Sequence, residues 1–122
     1  MTEAQEQKEI VAWFVATYPE YAKSIRVSMS GINLGGGRNA AIMINYMKAQ
    51  GMVKGESDIA ILIARGGYGC LVLEHKAEGQ THKLTEDQQD YLDYHTSVGN
   101  MAVSTRGVSM ATAAIETYME AA

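Results

Sequence analysis

Apolar residues recur along the chain at intervals that predict four helices. The stretches with helical spacing are residues 3–18, 39–50, 86–98 and 108–121. The first is predicted to end before Pro19, because proline cannot continue a helix. The second is predicted to turn Ala40, Ile44 and Met47 inward and to stop at Gly51.

Four further apolar stretches predict β-strands: residues 25–30, 58–64, 69–76 and 100–105. Apolar and polar residues alternate in the first, so one of its faces is expected to be buried. The second is almost continuously apolar, as in a strand covered on both faces. The turn RGGYG between the second and third predicts a hairpin. The order α-β-α-β-β-α-β-α predicts an α/β fold with a mixed four-stranded sheet flanked by helices.

The composition is that of a globular protein, with 47% hydrophobic and 20% charged residues. A length of 122 residues is predicted to form a single domain over 1–122. Cys70 is the single cysteine, so no internal disulfide can form. No apolar run is long enough to cross a bilayer, and no secretion signal is recognisable. We therefore expect a soluble cytoplasmic protein without a membrane partner.

The net charge of −4 is unevenly distributed along the chain. Residues 1–22 carry −3, residues 23–83 carry +4 and residues 84–122 carry −5. A bound divalent cation would make the basic middle segment more positive still. Because of this basic segment, the acidic net charge does not exclude a nucleic-acid partner. The same charge asymmetry is also compatible with ordinary solvated helix surfaces.

Three charged residues are predicted to converge where the apolar strands end. Glu74 and Lys76 are two residues apart on a strand, so their side chains leave the same face. Asp58 opens the neighbouring strand of the hairpin. It shares that face only if it pairs opposite Glu74 or Lys76 rather than His75, which requires an odd number of loop residues or one bulge. The glycines of the turn are expected to make such a bulge easy to form.

Two carboxylates and an ammonium group in one place are the components of a metal-dependent phosphodiesterase. Close carboxylates repel each other unless a cation lies between them, and oxygen ligands suit Mg²⁺ or Mn²⁺. The metal would polarise the phosphate and activate a water molecule, while Lys76 would stabilise the developing charge. The simpler interpretation is that Glu74 and Lys76 are solvated surface neighbours, as most such pairs are.

The same residues resemble a known family of nucleases. Residues 55–59 (GESDI), 71–76 (LVLEHK) and 84–88 (LTEDQ) together resemble the VRR-NUC branch of the PD-(D/E)XK nuclease superfamily, whose fold is restriction-endonuclease-like. The resemblance also includes Glu3 and Gln7 on the first helix, Arg38 before the second, and the final glycine–strand–helix segment. It departs at Ser57, where the family usually has proline, and is less clear over 26–37.

The resemblance implies a divalent-metal-dependent endonuclease that cleaves DNA. It implies Asp58 and Glu74 as metal ligands, assisted by the backbone carbonyl of His75, and Lys76 as the catalytic lysine. Glu3 and Gln88 resemble the family's additional helix carboxylate and its active-site glutamine. Small stand-alone members of phage type are homodimers associated with branched DNA such as Holliday junctions. The resemblance thus implies a homodimer acting on branched DNA in a bacterium or a phage-infected cell.

Several supporting residues have two interpretations at this stage. Gln88 fits the third helical position of a capping box with Thr85, and a capping role is expected to exclude a catalytic one. Glu3 fits a solvated acid in a first helical turn. Arg38, Lys54 and Lys83 are candidate contacts for DNA phosphates, or ordinary solvated charges.

Two other functions stay open from the sequence. The main alternative is a non-catalytic dimeric module that binds DNA or takes part in an assembly while keeping the nuclease fold. A weaker alternative is a small-ligand enzyme that uses the glycine-rich segment 31–39 with Arg38. This segment lacks the Gly-Lys-Ser/Thr ending of nucleotide-hydrolysing loops.

Overall fold

A computed structural model describes residues 1–29 and 36–122 of the chain. Its helices are α1 (Glu3–Thr17), α2 (Arg38–Ala49), α3 (Glu86–Ser97) and α4 (Val108–Glu120), with a 3-10 helix at Pro19–Ser24. Its strands are β1 (Ile25–Val27), β2 (Ile59–Ile61), β3 (Leu71–Lys76) and β4 (Met101–Arg106). The predicted order of helices and strands is confirmed. Residues 31–35 of the glycine-rich segment lie outside the described residues, as does Ser30 at the end of the predicted first strand.

The four strands form one mixed sheet in the order β1-β2-β3-β4. β1 and β2 are antiparallel, as are β2 and β3, whereas β3 and β4 run parallel across the intervening helix α3. The α/β fold with a mixed four-stranded sheet is therefore confirmed. None of the helices in the described ranges combines the length and apolar character needed to span a bilayer.

Helices cover the two faces of β3 differently, and this positions the polar residues at its end. Leu71 and Leu73 point into a core formed with Phe14 of α1 and Ile115 of α4. The alternate residues of β3 point to the other face, where Gln88 of α3 reaches Glu74. Neighbouring residues of β3 thus face different helices, as the pleat of a strand requires.

Three local predictions were wrong in extent or orientation. β1 ends at Val27 rather than at residue 30, and β2 covers three residues of the predicted seven. Leu62 is 55% exposed, so this apolar stretch is not covered on both faces along its length. Ile44 of α2 is exposed, whereas Ala40 is buried. The spacing of apolar residues indicates a helix or a strand, but how much of that element is buried depends on which other elements pack against it.

The hairpin between β2 and β3 contains the bulge that the site requires. Arg65 and Tyr68 close a two-residue turn in which Gly66 and Gly67 both have positive φ, of 56° and 86°. Between this turn and the pair Ile61–Leu71 there is one more residue on the β2 side than on the β3 side. The predicted bulge is confirmed, but it lies within residues 62–64 rather than at a glycine.

Candidate functional site

The bulge sets the register that brings Asp58 beside Glu74. Ile59 pairs with Leu73, so continuing this register by one residue places Asp58 opposite Glu74. The carboxylate of Asp58 accepts a hydrogen bond from the backbone N–H of His75, at 2.8 Å from Oδ2. Without the extra residue, Asp58 would face His75 and its side chain would lie on the opposite face of the sheet.

Asp58 and Glu74 lie in a cleft of about 570 Å³ between the sheet and three helices. Glu3 of α1 and Lys48 of α2 line its walls, as does Gln88 of α3. The structure therefore brings Glu3 and Gln88 into the same cleft as the two carboxylates. The aspartate and the glutamate come from the sheet, whereas the surrounding side chains come from separate helices.

Gln88 connects the capping of α3 to the cleft. Its Oε1 accepts the backbone N–H of Thr85 at 2.9 Å, completing the capping box at the start of the helix. Its Nε2 donates to Oε1 of Glu74 at 2.8 Å, and Nζ of Lys76 donates to its Oε1 at 3.4 Å. Capping therefore does not prevent Gln88 from contacting Glu74, because the amide has separate donor and acceptor atoms. A catalytic role for Gln88 stays a prediction.

The two carboxyl groups are in an environment that disfavours their charges. Burial and the neighbouring Asp58 carboxylate raise the pKa of Glu74 to about 8, although the Lys76 ammonium opposes the shift. Burial likewise raises the pKa of Asp58. Glu74 is 2% exposed, and its Oε2 has no hydrogen-bond partner among the described residues. A cation between the two groups would remove both penalties.

The donor set fits a small, hard divalent cation. Among the described residues there is no group of three or more histidine, cysteine, aspartate or glutamate side chains arranged to hold a metal. Mg²⁺ does not need such a group, because it retains several water molecules and binds through one or two carboxylates. The unpartnered oxygen of Glu74 beside Asp58 provides this kind of site. A thiol- or imidazole-binding metal has no corresponding ligands here.

Glu3 lies near this pair without bonding to it in the described structure. Partial burial raises its pKa, as does the charge of Asp58, while the Lys76 ammonium lowers it. These influences place the Glu3 carboxyl within electrostatic range of the cleft. The first turn of α1 is held by its own capping box, in which Thr2 and Gln5 exchange hydrogen bonds. Glu3 is therefore presented from an ordered helix start.

The three predicted DNA-binding residues differ in position. Lys54 lines the cleft and forms an exposed ion pair with Asp87, with 3.2 Å between Nζ and Oδ2. Lys83 lines a neighbouring depression together with Glu3 and Lys76. Arg38 is exposed at the first residue of α2 and lines neither of these two cavities. Lys48 is not among the residues predicted from the sequence, and its position on α2 places it on the cleft wall.

A buried polar network behind the site also escaped the sequence analysis. His75 is fully buried, with Nε2 2.8 Å from Oε1 of Glu6 and Nδ1 2.9 Å from Oγ1 of Thr105. Burial opposes ionisation of Glu6, yet hydrogen bonds from the Glu78 N–H and from His75 lower its pKa. A usable signal was present, because Glu6 precedes buried Ile10 by one helical turn.

The comparisons with known proteins identify the fold. No protein-family model and no curated protein matches the chain. Among solved structures, the chain is similar to one described as "VRR_NUC domain protein", with 24% sequence identity and a TM-score of 0.79. The match covers 98% of this chain and 89% of that chain. The resemblance found in the sequence is thus confirmed at the level of the backbone, and the chain has the fold of a VRR-NUC domain protein.

Proposed function

We propose that the chain is a VRR-NUC nuclease: a divalent-metal-dependent endonuclease that hydrolyses DNA phosphodiester bonds. The observation that carries this proposal is the pair of half-buried Asp58 and buried Glu74, with an unpartnered oxygen on Glu74 and a lysine beside it, in a cleft of this fold. An ordinary surface ion pair would not place a carboxylate at 2% exposure next to a second carboxylate. The whole of 1–122 forms the nuclease domain in this proposal.

Asp58 and Glu74 would hold Mg²⁺ or Mn²⁺, which supplies Lewis-acid polarisation of the phosphate and lowers the pKa of a bound water. The backbone carbonyl of His75 is the third proposed ligand. Its N–H points toward Asp58, and the N–H and C=O of one strand residue point to the same side. Glu3 is the proposed additional carboxylate, acting from α1.

Lys76 is the proposed catalytic lysine. Its Nζ lies 3.8 Å from Oε1 of Glu74 and 3.4 Å from Oε1 of Gln88, so the ammonium is held beside two side chains that line the cleft. A cation in this position stabilises negative charge that develops on the phosphoryl oxygens or on the attacking water. Gln88 acts by fixing the orientations of Glu74 and Lys76 together.

Lysine side chains around the site are proposed to hold the DNA backbone. Lys48 and Lys54 line the cleft, and Lys83 lines the depression next to Lys76. Arg38 would contact a phosphate farther along the strand, since it begins α2 about 15 Å along the helix axis from Lys48. These contacts would give the acidic protein a local surface suited to phosphates.

A homodimer acting on branched DNA, such as a Holliday junction, is the proposed assembly. The described residues of one chain form one candidate site, whereas symmetric cutting of a junction needs two sites related by a two-fold axis. The surface that supports a dimer is the exposed apolar face of α2, with Ile42 at 55% and Tyr46 at 59% exposure. Exposed apolar patches of this kind are typical of association surfaces.

Cleavage of a DNA panel tests the nuclease directly. Single-stranded, duplex, flap and four-way substrates are incubated with Mg²⁺ or Mn²⁺, and Asp58→Asn and Lys76→Ala are expected to abolish cleavage while remaining folded. Asp93→Asn is the matched control, because Asp93 is an exposed acid of α3 outside the cleft. Full activity in excess chelator would contradict the metal mechanism.

Binding of the metal is measured separately by calorimetry and thermal shift. Mn²⁺ should raise the melting temperature of the wild type, by mass action, and leave Glu74→Gln unchanged. DNA binding without metal binding and without cleavage of any substrate would instead favour the non-catalytic module. The glycine-segment alternative falls largely on residues 31–35, outside the described structure, and has no supporting observation.

A further inference from the structure

A second groove adjoins the proposed catalytic cleft. It has a volume of about 520 Å³ and is lined by Val53, Lys54, Asp87, Asp90, Tyr91, Tyr94 and His95. Lys54 and Asp87 line both cavities. Their ion pair therefore stands on the boundary between the two, and a chain of nucleotides entering the cleft would pass directly into or out of this groove.

Aromatic side chains form one wall of the groove. On α3, the rings of Tyr91 and His95 have centroids 4.5 Å apart, and those of Tyr94 and His95 are 5.2 Å apart. Nδ1 of His95 lies 2.9 Å from the side-chain nitrogen of Asn100, which fixes the imidazole in this cluster. Tyr94 is 60% exposed although the cluster is ordered around it. The groove is therefore a preformed aromatic surface open to solvent.

The charged residues that line the groove disfavour binding of a phosphate and are compatible with binding of an uncharged nucleobase. On the groove side, the charge of Lys54 is balanced by Asp87, and Asp90 adds a second carboxylate, so the lining carries more negative than positive charge. A second phosphate would be repelled by this wall. A nucleobase is uncharged, stacks on aromatic rings, and can donate amino or imino hydrogens to a carboxylate.

We propose that this groove binds an unpaired nucleobase next to the phosphate held in the catalytic cleft. The inference rests on the proposed nuclease function and specifies its substrate class: DNA with an unstacked nucleotide beside the cleavage point, as at a branch or flap. Tyr94 stacks on the base, and Asp90 accepts hydrogen bonds from its edge. Selection for branched DNA then follows from the availability of an unpaired base, not from the shape of the whole junction.

The proposal also predicts a base preference. Guanine presents an imino and an amino hydrogen side by side, a pattern that matches the two oxygens of one carboxylate. Thymine presents a single imino hydrogen between two carbonyl oxygens, which a carboxylate repels. Guanine at this position should therefore be favoured over thymine, and Asp90→Asn should reduce that preference.

An abasic scan tests the groove. A flap substrate is prepared with a single abasic site moved stepwise through the nucleotides around the cleavage point, and kcat/KM and DNA affinity are both measured. For the wild type, one abasic position should lower each quantity about 10-fold, the effect expected from losing one stacked base. Tyr94→Ala should show a similar loss on the intact substrate and no further loss at that abasic position, while Tyr94→Phe should behave as the wild type.

Tyr68→Ala is the matched control, since Tyr68 is a partly exposed tyrosine at the hairpin turn, at the far end of β3 from the cleft. It should leave the abasic profile unchanged. An equal abasic effect in wild type and Tyr94→Ala would overturn the base-binding groove even if the protein is an active nuclease. If no substrate is cleaved, the proposed nuclease function fails, while the affinity scan still decides whether the groove binds a base.

Discussion

At the scale of single residues, the candidate site contains an energetically unfavourable arrangement of two neighbouring carboxyl groups. Glu74 is almost completely buried, faces Asp58, and leaves one oxygen without a hydrogen-bond partner in the described structure. Each feature disfavours the charged carboxylate. The proposed cation would relieve this cost, so the metal-free protein should be less stable than its other packing would allow.

The first prediction concerns the pH dependence of stability in the absence of metal. Burial, together with repulsion from Asp58, raises the pKa of Glu74 to about 8 from an ordinary value of 4.5. The folded state therefore holds this proton more tightly than the unfolded state, so the contribution of Glu74 to stability is greatest below about pH 4.5 and declines as pH rises to about 8. In Glu74→Gln this contribution to the decline should disappear.

Thermal unfolding in the presence of a chelator, measured from pH 5 to pH 9, tests whether the contribution of Glu74 to stability falls as pH rises. Glu74→Gln should have the higher melting temperature of the two proteins at the alkaline end, because its side chain carries no buried charge. The exposed acid substitution Asp93→Asn serves as the reference for a general loss of negative charge. Parallel curves for wild type and Glu74→Gln across this range would refute the raised pKa.

At the scale of elements, α1 is attached to the sheet by the buried pair of Glu6 and His75. The pair is 2.8 Å apart, and both side chains are almost fully inaccessible to solvent. His75 also positions the site through its backbone, since its N–H binds Asp58. The same strand residue therefore anchors α1 on one face of the sheet and a proposed metal ligand at its edge.

Removal of one partner of this pair should be strongly destabilising. Glu6→Ala is expected to lower the free energy of unfolding by about 3 kcal/mol, because it leaves the buried His75 ring without its acceptor. Glu9→Ala, at an exposed position of the same helix, should change it by less than about 0.5 kcal/mol. Urea denaturation measures both values. A loss for Glu6→Ala no larger than that for Glu9→Ala would mean that the pair contributes nothing to stability.

The start of α3 is positioned by a close approach of Gly55. Gly55 has a φ of +79°, and a Cβ there would lie 2.5 Å from the backbone of Asp87. Gly55→Ala should therefore destabilise by about 2–3 kcal/mol, through strain and displacement of the helix that carries Gln88. Gly79→Ala separates the two causes, since Gly79 has a φ of +92° but open space around it. It should cost about 1 kcal/mol. Equal losses in chemical denaturation would show that the contact with Asp87 is unimportant.

At the scale of the whole molecule, the prediction is a homodimer formed through the exposed apolar face of α2. In the described chain α2 buries Ala40 but exposes Ile42, Met43 and Tyr46. Covering these side chains with a second copy would bury apolar surface and bring two clefts under one symmetry axis. Ile42→Glu is therefore expected to give a monomer in light scattering, whereas Met110→Glu, an exposed methionine of α4, should leave the mass unchanged. A monomeric wild type would contradict the dimer.

The sequence by itself determined the elements, their order and the residues at the end of β3. Helical and strand spacing is a local property, so it predicted the four α-helices, to within a residue or two at their ends, and the existence of the four strands. It did not predict the 3-10 helix at Pro19–Ser24. The separation of Glu74 and Lys76 by one residue was enough to place them on one face. The lengths of β1 and β2 and the exposure of Ile44 were not predictable in this way, because coverage depends on which elements pack nearby.

Only the tertiary structure decided how the parts of the site meet. The sequence required either an odd number of loop residues or one bulge to bring Asp58 beside Glu74, and the fold supplies a bulge within residues 62–64. Gln88 caps α3 and reaches Glu74 at once, which no spacing rule could show. Glu6 and His75 meet across 69 positions of sequence. Local patterns fix what each segment forms, whereas contacts between distant segments arise from packing the shared core.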